Sequence, residues 1–322
     1  MISVINRARS LLKLPELNTI QTLLTRGVTA LSLCGLFAWS VYENYTVLMI
    51  TCCQLICLKE IVSLRKHLNW FHIVESYFLF ALFQFVLFGN NITSYNIEIG
   101  LFCLILLMFL FINELPDPKH PVLVKLKYDD LQHILTSILC AMLGNFHILN
   151  ANENILWFLL PIFYVCVNDS FAYIIGKCVG KRKLHIISPN KTVEGFLGAA
   201  IVCIIISFVV NVYSYMFFDY GLITQEFLEP TKYYINEYSF IQVVPIQAHN
   251  TMICIFSSFL CPLAGLFASG VKRGYDIKDF GSILPGHGGM TDRVDCISVS
   301  GILVYVYFNS SILNSQGVHM LD

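Results

Sequence analysis

Charge is what this sequence has least of. Only 20 Lys and Arg and 21 Asp and Glu occur among 322 residues, 13% in all, where a soluble domain carries roughly 25%. A water-facing surface needs more than that, so an ordinary soluble globule is excluded. The remainder is apolar: 56% of the side chains are hydrophobic and the mean hydropathy is +0.68. The N-terminus holds Arg7, Arg9, Lys13 and Pro15 but has no continuous apolar core and no small-residue cleavage site. An interfacial amphipathic segment is therefore expected there rather than a cleaved signal peptide. No CxxC pair with a matching His or Cys partner occurs, which argues against a zinc site. Most of the twelve cysteines lie in apolar runs and read as small hydrophobes. Fixed-period repeats and low-complexity linkers are also missing.

What is present is a series of apolar runs. A bilayer crossing needs about 20 mostly apolar residues, and about nine runs approach that length. They cover 27–42, 46–64, 72–88, 97–112, 131–149, 155–175, 194–218, 249–270 and 294–313. The expected fold is all-α, a polytopic transmembrane helical bundle. With a cytoplasmic N-terminus, nineteen of the 20 basic residues fall on the cytoplasmic side and only Lys232 outside, as the positive-inside rule requires. The chain divides into an interfacial N-terminus (1–26), N-terminal helices (27–149) and a C-terminal catalytic region (150–322). The longest outside segment, 219–247, is acidic and Tyr-rich and carries no readable chemistry. Lys59-Glu60 reads as a boundary pair at the end of a span rather than as a site.

Two cytoplasmic loops concentrate chemistry. Residues 269–295 pack eight charges between one span and the next, which is costly at a membrane boundary unless the charges pair, bind metal or face water. Asp279 stands beside Lys278, Asp292 and Asp295 flank Arg293, and Pro285-Gly286-His287-Gly288-Gly289 forms a turn whose backbone N–H groups can approach a phosphate. The earlier loop begins at Asn168-Asp169 inside an apolar run. It passes Tyr173 and ends on Ser188-Pro189-Asn190-Lys191-Thr192-Val193-Glu194-Gly195, where a helix should start. Ser188 and Thr192 are helix-start residues, and a helix N-terminus suits an anionic ligand. Taken singly, each element has a plain structural explanation: a topology determinant, an ion network, a cap or a turn. Their coincidence on one face points to a phosphate-handling site.

The pattern Ser269-x2-Lys272-Arg273-x4-Lys278-Asp279-x-Gly281-x2-Leu284-Pro285-x-His287-Gly288-Gly289-x2-Asp292-Arg293-x-Asp295 resembles the signature of phosphatidate cytidylyltransferases, the CDP-diacylglycerol synthases. Asn168-Asp169, Ala172-Tyr173 and the Ser188–Gly195 segment are similar to the same family, with Val193 where a Trp is usual. Trp157-Phe158-Leu159-Leu160-Pro161 and Phe267-Ala268-Ser269 give it a eukaryotic flavour. The resemblance covers residues 152–308. It implies transfer of a cytidine nucleotide from CTP to phosphatidic acid with release of pyrophosphate, in phospholipid biosynthesis.

Under that resemblance, Asp279, Asp292, Asp295 and Asp169 are expected to hold Mg²⁺, a hard cation that takes oxygen ligands. Lys272, Arg273, Lys278 and Arg293 are expected to neutralise the triphosphate. Lys191, Asn168, Tyr173, Ser188, Thr192, Glu194, Gly288 and Gly289 would contact nucleotide or phosphate, and His287 would donate to a phosphate or orient a carboxylate. The resemblance further implies a homodimer in the endoplasmic reticulum membrane with its site facing the cytoplasm. Nucleic acid is not expected as a partner. Two alternatives stay open: a CTP-dependent polyprenol kinase, which would release CDP, and an ion-coupled secondary transporter built around Asp169.

Overall fold

In the computed structural model, the described residues are 17–64, 143–223, 225–236 and 239–318, with scattered positions between 73 and 81. The expected spans over 72–88 and 97–112, and most of that over 131–149, lie outside them. Helices dominate what is described. They are α1 (Leu17–Tyr42), α2 (Thr46–Val62), a helical stretch over 143–153, α3 (Ile155–Val179), α4 (Val193–Val212), a single turn α5 (Tyr215–Asp219), α6 (Pro245–Phe259), α7 (Cys261–Gly274) and α8 (Thr291–Val318).

Among the described residues, three helices are long and apolar enough to cross a membrane: Ile155–Val179, Val193–Val212 and the near-continuous run Pro245–Gly274. The last is α6 and α7 joined at Leu260. Pro262 sits in the first turn of α7, where its missing N–H costs no helical bond. Helix α4 shows how sequence sorts its faces. Leu197, Ile201, Ile205, Phe208 and Val212 recur at helical spacing and are exposed, while Gly195, Ala199, Ala200, Cys203 and Ser207 are buried. Small residues let helix backbones approach closely, and a wholly apolar outer stripe suits lipid rather than water. The buried face packs on α3, with Gly195 lying against Gly176.

Helix α3 is central, meeting α4, α6 and α8. Its start is fixed by Asn154, whose side chain accepts the Leu156 N–H at 2.8 Å. Inside the bundle Tyr164 donates to Asn250 Oδ1 at 2.7 Å, and Asn250 donates to Asn211 Oδ1 at 2.7 Å, so buried polar groups on α3, α4 and α6 satisfy one another. Trp157, Tyr164, Cys203, Ile246, Ile253 and Val304 belong to the largest apolar cluster.

The all-α expectation needs one amendment. Two short antiparallel hairpins occur. In the first, β1 (Lys183–His185) pairs with β2 (Ser188–Thr192), Lys183 opposite Thr192 and His185 opposite Ser188. In the second, β3 (Thr231–Asn236) pairs with β4 (Ser239–Val243) within the 219–247 segment. The second is rich in β-branched and aromatic residues, which favour extended backbone, whereas the first is of mixed character. Helix periodicity over the long spans hides such short elements.

Candidate active site

The first hairpin delivers Lys191. It grows from the end of α3 and runs straight into α4, and its shape is held locally. Thr192 caps α4, its hydroxyl accepting the Gly195 N–H at 3.1 Å, and Glu194 reaches back to accept the N–H groups of Lys181 at 3.0 Å and Arg182 at 3.1 Å. These two residues, expected at the substrate, thus brace the hairpin. Ser188 opens β2 instead of starting a helix. Between the caps, Lys191 projects toward α7. A Cβ built on Gly265 would stand 2.8 Å from Lys191 Nζ, 2.7 Å from Cys296 Sγ and 3.7 Å from Asp295 Oδ2. Lys191 acts electrostatically on both Asp295 and Asp169, and Asp295 also acts on Asp169. The hairpin and the first turn of α8, far apart in sequence, thus bring Lys191 and Asp295 to Gly265 on α7, and Asp169 on α3 lies within their electrostatic reach. Nothing in the sequence singled out Gly265, a small residue among others in an apolar helix.

Asp169 is accessible on α3, whereas its neighbour Asn168 is 1% exposed, its Oδ1 taking the Cys203 thiol at 3.9 Å between α3 and α4. Asn168 is thus part of the bundle interior. Tyr173 is 68% exposed, with the Lys177 ammonium 5.6 Å from its ring centre.

The 269–295 loop is held from within. Lys272 at the end of α7 meets Asp292 Oδ1 at 2.7 Å, with side chains 13% and 4% exposed. The other oxygen of Asp292 accepts the N–H groups of Phe280 at 2.8 Å and Gly289 at 3.1 Å. Such a buried pair persists only when every polar atom is satisfied, and here Asp292 is. Leu284-Pro285-Gly286-His287 is a tight turn closed by the His287 N–H on Leu284 O at 2.9 Å. Gly286 has φ 75°, the left-handed conformation that glycine adopts without strain at this turn position. Arg293 clamps the turn through two bonds to His287 O, at 3.0 and 2.7 Å, and Arg273 donates to Ile277 O at 3.1 Å. Lys278 and Asp279 are exposed, Asp279 lying against Gly288.

The loop's backbone N–H groups, read from sequence as a phosphate cradle, are bonded within the chain. The Gly288 N–H bonds Leu284 O at 3.1 Å, that of Gly289 bonds Asp292, and those of Met290 and Thr291 bond Glu60 on α2, each at 2.8 Å. Helix α1 also reaches the turn. Thr29 donates to Pro285 O at 3.1 Å, and Arg26 lies against Gly286. Thr29 and Arg26 carry no local signal, and Glu60, which beside Lys59 reads as a boundary charge, finds its partners far along the chain.

The four aspartates are consequently divided. Asp292 is committed to Lys272 and backbone, Asp279 faces outward, and Asp169 and Asp295 share the Lys191 site. Among the described residues, no group of three or more His, Cys, Asp and Glu is arranged to hold a metal. Two carboxylates are nevertheless a fitting set for Mg²⁺, which commonly takes one or two from protein and the rest from phosphate and water.

This arrangement suits a reaction between phosphates, and comparison with known proteins agrees. The model of the Cytidylyltransferase family matches residues 24–311. Phosphatidate cytidylyltransferase 3 of Arabidopsis thaliana is 30% identical, over 97% of this chain and 75% of its own length. Phosphatidate cytidylyltransferase of Saccharomyces cerevisiae is 31% identical over 83% and 68%, and phosphatidate cytidylyltransferase 2 of Homo sapiens is 30% identical over 89% and 74%. A match that begins in α1 and ends in α8 embraces both loops and the N-terminal helices that touch them, and on that ground the chain belongs to the cytidylyltransferase family.

Proposed function

We propose that the chain transfers the cytidine nucleotide of CTP to phosphatidic acid, forming CDP-diacylglycerol and pyrophosphate. The observation that carries this reading is the convergence of Lys191 and Asp295 on Gly265, with Asp169 within electrostatic reach of both. Both substrates are polyanions, so their approach needs fixed positive charge, and Lys191 supplies it at the centre of the site. A phosphate monoester already carries about 1.5 to 2 negative charges at neutral pH. Its oxygen therefore attacks the α-phosphorus without a general base, so no Ser-His-Asp arrangement is required. A bond forms between lipid phosphate oxygen and α-phosphorus, and the α–β bridging bond breaks, sending its electrons to pyrophosphate. Arg293, Arg273 and Lys278 line the exposed side of the loop, where they receive the departing charge.

Asp169 and Asp295 would hold Mg²⁺, which offsets phosphate charge when bound. Asp292 and Lys272 fix the loop on which Asp295 depends. Positioning and charge supply the acceleration, as in other phosphoryl transfers.

The chain is a membrane protein by its long apolar helices. We read nine spans with the N-terminus and both loops cytoplasmic, in the endoplasmic reticulum, as a homodimer; the one-sided distribution of basic residues supports the orientation. The test is incubation of the purified protein in detergent with labelled CTP, phosphatidate and Mg²⁺. Label in CDP-diacylglycerol with release of pyrophosphate is expected, and release of CDP with a phosphorylated lipid would replace this reading with a kinase.

A further inference from the structure

The geometry points to Glu60 as a positioning residue for the active site, acting from the N-terminal helices on the first turn of α8. Glu60 lies near the end of α2 and is 3% exposed. Its two oxygens accept one N–H each, Oε1 from Met290 and Oε2 from Thr291, both at 2.8 Å. The partners are 230 and 231 residues away in sequence. They are the residue that precedes α8 and the first residue of α8. A helix leaves its first N–H groups without intrahelical partners and carries partial positive charge there. A carboxylate answers both needs at once, and here it comes from another helix.

The loop is shaped to receive it. A Cβ on Gly281 would stand 2.7 Å from Glu60 Oε1, and one on Gly289 would stand 2.7 Å from Oε2. Two glycines of the signature therefore face the same buried carboxylate from two sides. One turn beyond Thr291 along α8 is Asp295, which faces Lys191. The direction in which α8 leaves the loop decides where Asp295 sits, and Glu60 holds that direction. Glu60 acts through the backbone of Met290 and Thr291.

This assignment rests on the proposed function only for its kinetic readout. The experiment uses the full-length protein in detergent, with Glu60→Gln, Gly281→Ala and the double variant. Three quantities are measured: amide hydrogen exchange of the 286–294 peptide, KM for CTP, and the thermal unfolding midpoint. In Glu60→Gln the amide group sets a donor against a donor, so exchange of that peptide should rise by about tenfold and KM for CTP by a similar factor, as one lost charge-assisted bond would give. Gly281→Ala crowds the intact carboxylate and should do the same in weaker form. The double variant should be at least as impaired as Glu60→Gln, because the isosteric Gln side chain still meets the new Cβ at position 281.

Wild-type exchange in Glu60→Gln would overturn the proposal. So would a lowered midpoint with unchanged KM, which marks a purely structural role. If Glu60→Gln fails to fold, Gly281→Ala decides alone: raised exchange and KM support the assignment, and wild-type values of both refute it. A wild-type protein that makes no CDP-diacylglycerol would sink the function, and the exchange measurement would still decide Glu60.

Discussion

Lys191 and Asp295 flank the same glycine. A Cβ at Gly265 would come within 2.8 Å of the lysine Nζ and 3.7 Å of the aspartate Oδ2, so the bare backbone of α7 is the floor of the site. Gly265→Ala is accordingly expected to push Lys191 aside. Activity should fall by tenfold or more, equivalent to about 1.4 kcal/mol of barrier per tenfold, and the unfolding midpoint should fall as well, since the same Cβ would crowd the buried Cys296 Sγ at 2.7 Å. Kinetics and thermal unfolding on the same detergent preparation check both halves.

Lys191→Ala should raise KM for CTP, because it removes the central cation while the hairpin keeps its braces at Thr192 and Glu194. Lys191→Arg should restore binding only in part, since a planar guanidinium does not occupy the space of a compact ammonium. An initial-rate series over CTP concentration separates these outcomes from wild type.

Asp295→Asn should abolish turnover without affecting membrane insertion, and Asp169→Asn should do likewise. Chelation of divalent cations should mimic both in the wild type, and added Mg²⁺ should rescue the chelated protein but neither variant. Product formation with and without EDTA measures this. Normal activity in Asp295→Asn would remove the metal proposal.

Lys272→Ala addresses a different property. It leaves Asp292 buried and uncompensated, and breaking a buried pair in this way costs about 3 to 5 kcal/mol. The loss should appear as a lowered unfolding midpoint. Exposed Asp279, mutated to Ala, should leave the midpoint unmoved. The contrast would separate charges that hold the loop from charges that face substrate.

Thr192→Ala removes the cap of α4 and should cost about 1 kcal/mol of stability, whereas Thr192→Ser should retain most of it. The Ala variant should also weaken CTP binding, because the cap fixes the residue that follows Lys191. Unfolding and KM measured on both variants check the two effects together.

The bundle was legible because long apolar runs of helical length announce themselves, and α1, α2, α3, α4, α6–α7 and α8 fall where runs were read. The hairpin around Lys191 was not, since ten residues of mixed character between two spans give no period to read. The site was legible in its members but not in its division of labour. Asp292 and Asp295 are three residues apart on one helix turn, and composition treats them alike. Only folding shows that one is sealed against Lys272 and two backbone amides while the other faces Lys191. Glu60 illustrates the remaining limit. Its neighbour Lys59 made it look like an ordinary boundary charge, and its true partners are more than two hundred residues downstream.

The amides of Gly289, Met290 and Thr291 already hold carboxylate oxygens of the chain itself. The turn is thereby preorganised: its ordering entropy is spent during folding rather than drawn from nucleotide affinity. A competitive CTP analogue should therefore associate without a slow isomerisation step, and differences between analogues should reside in how fast they leave.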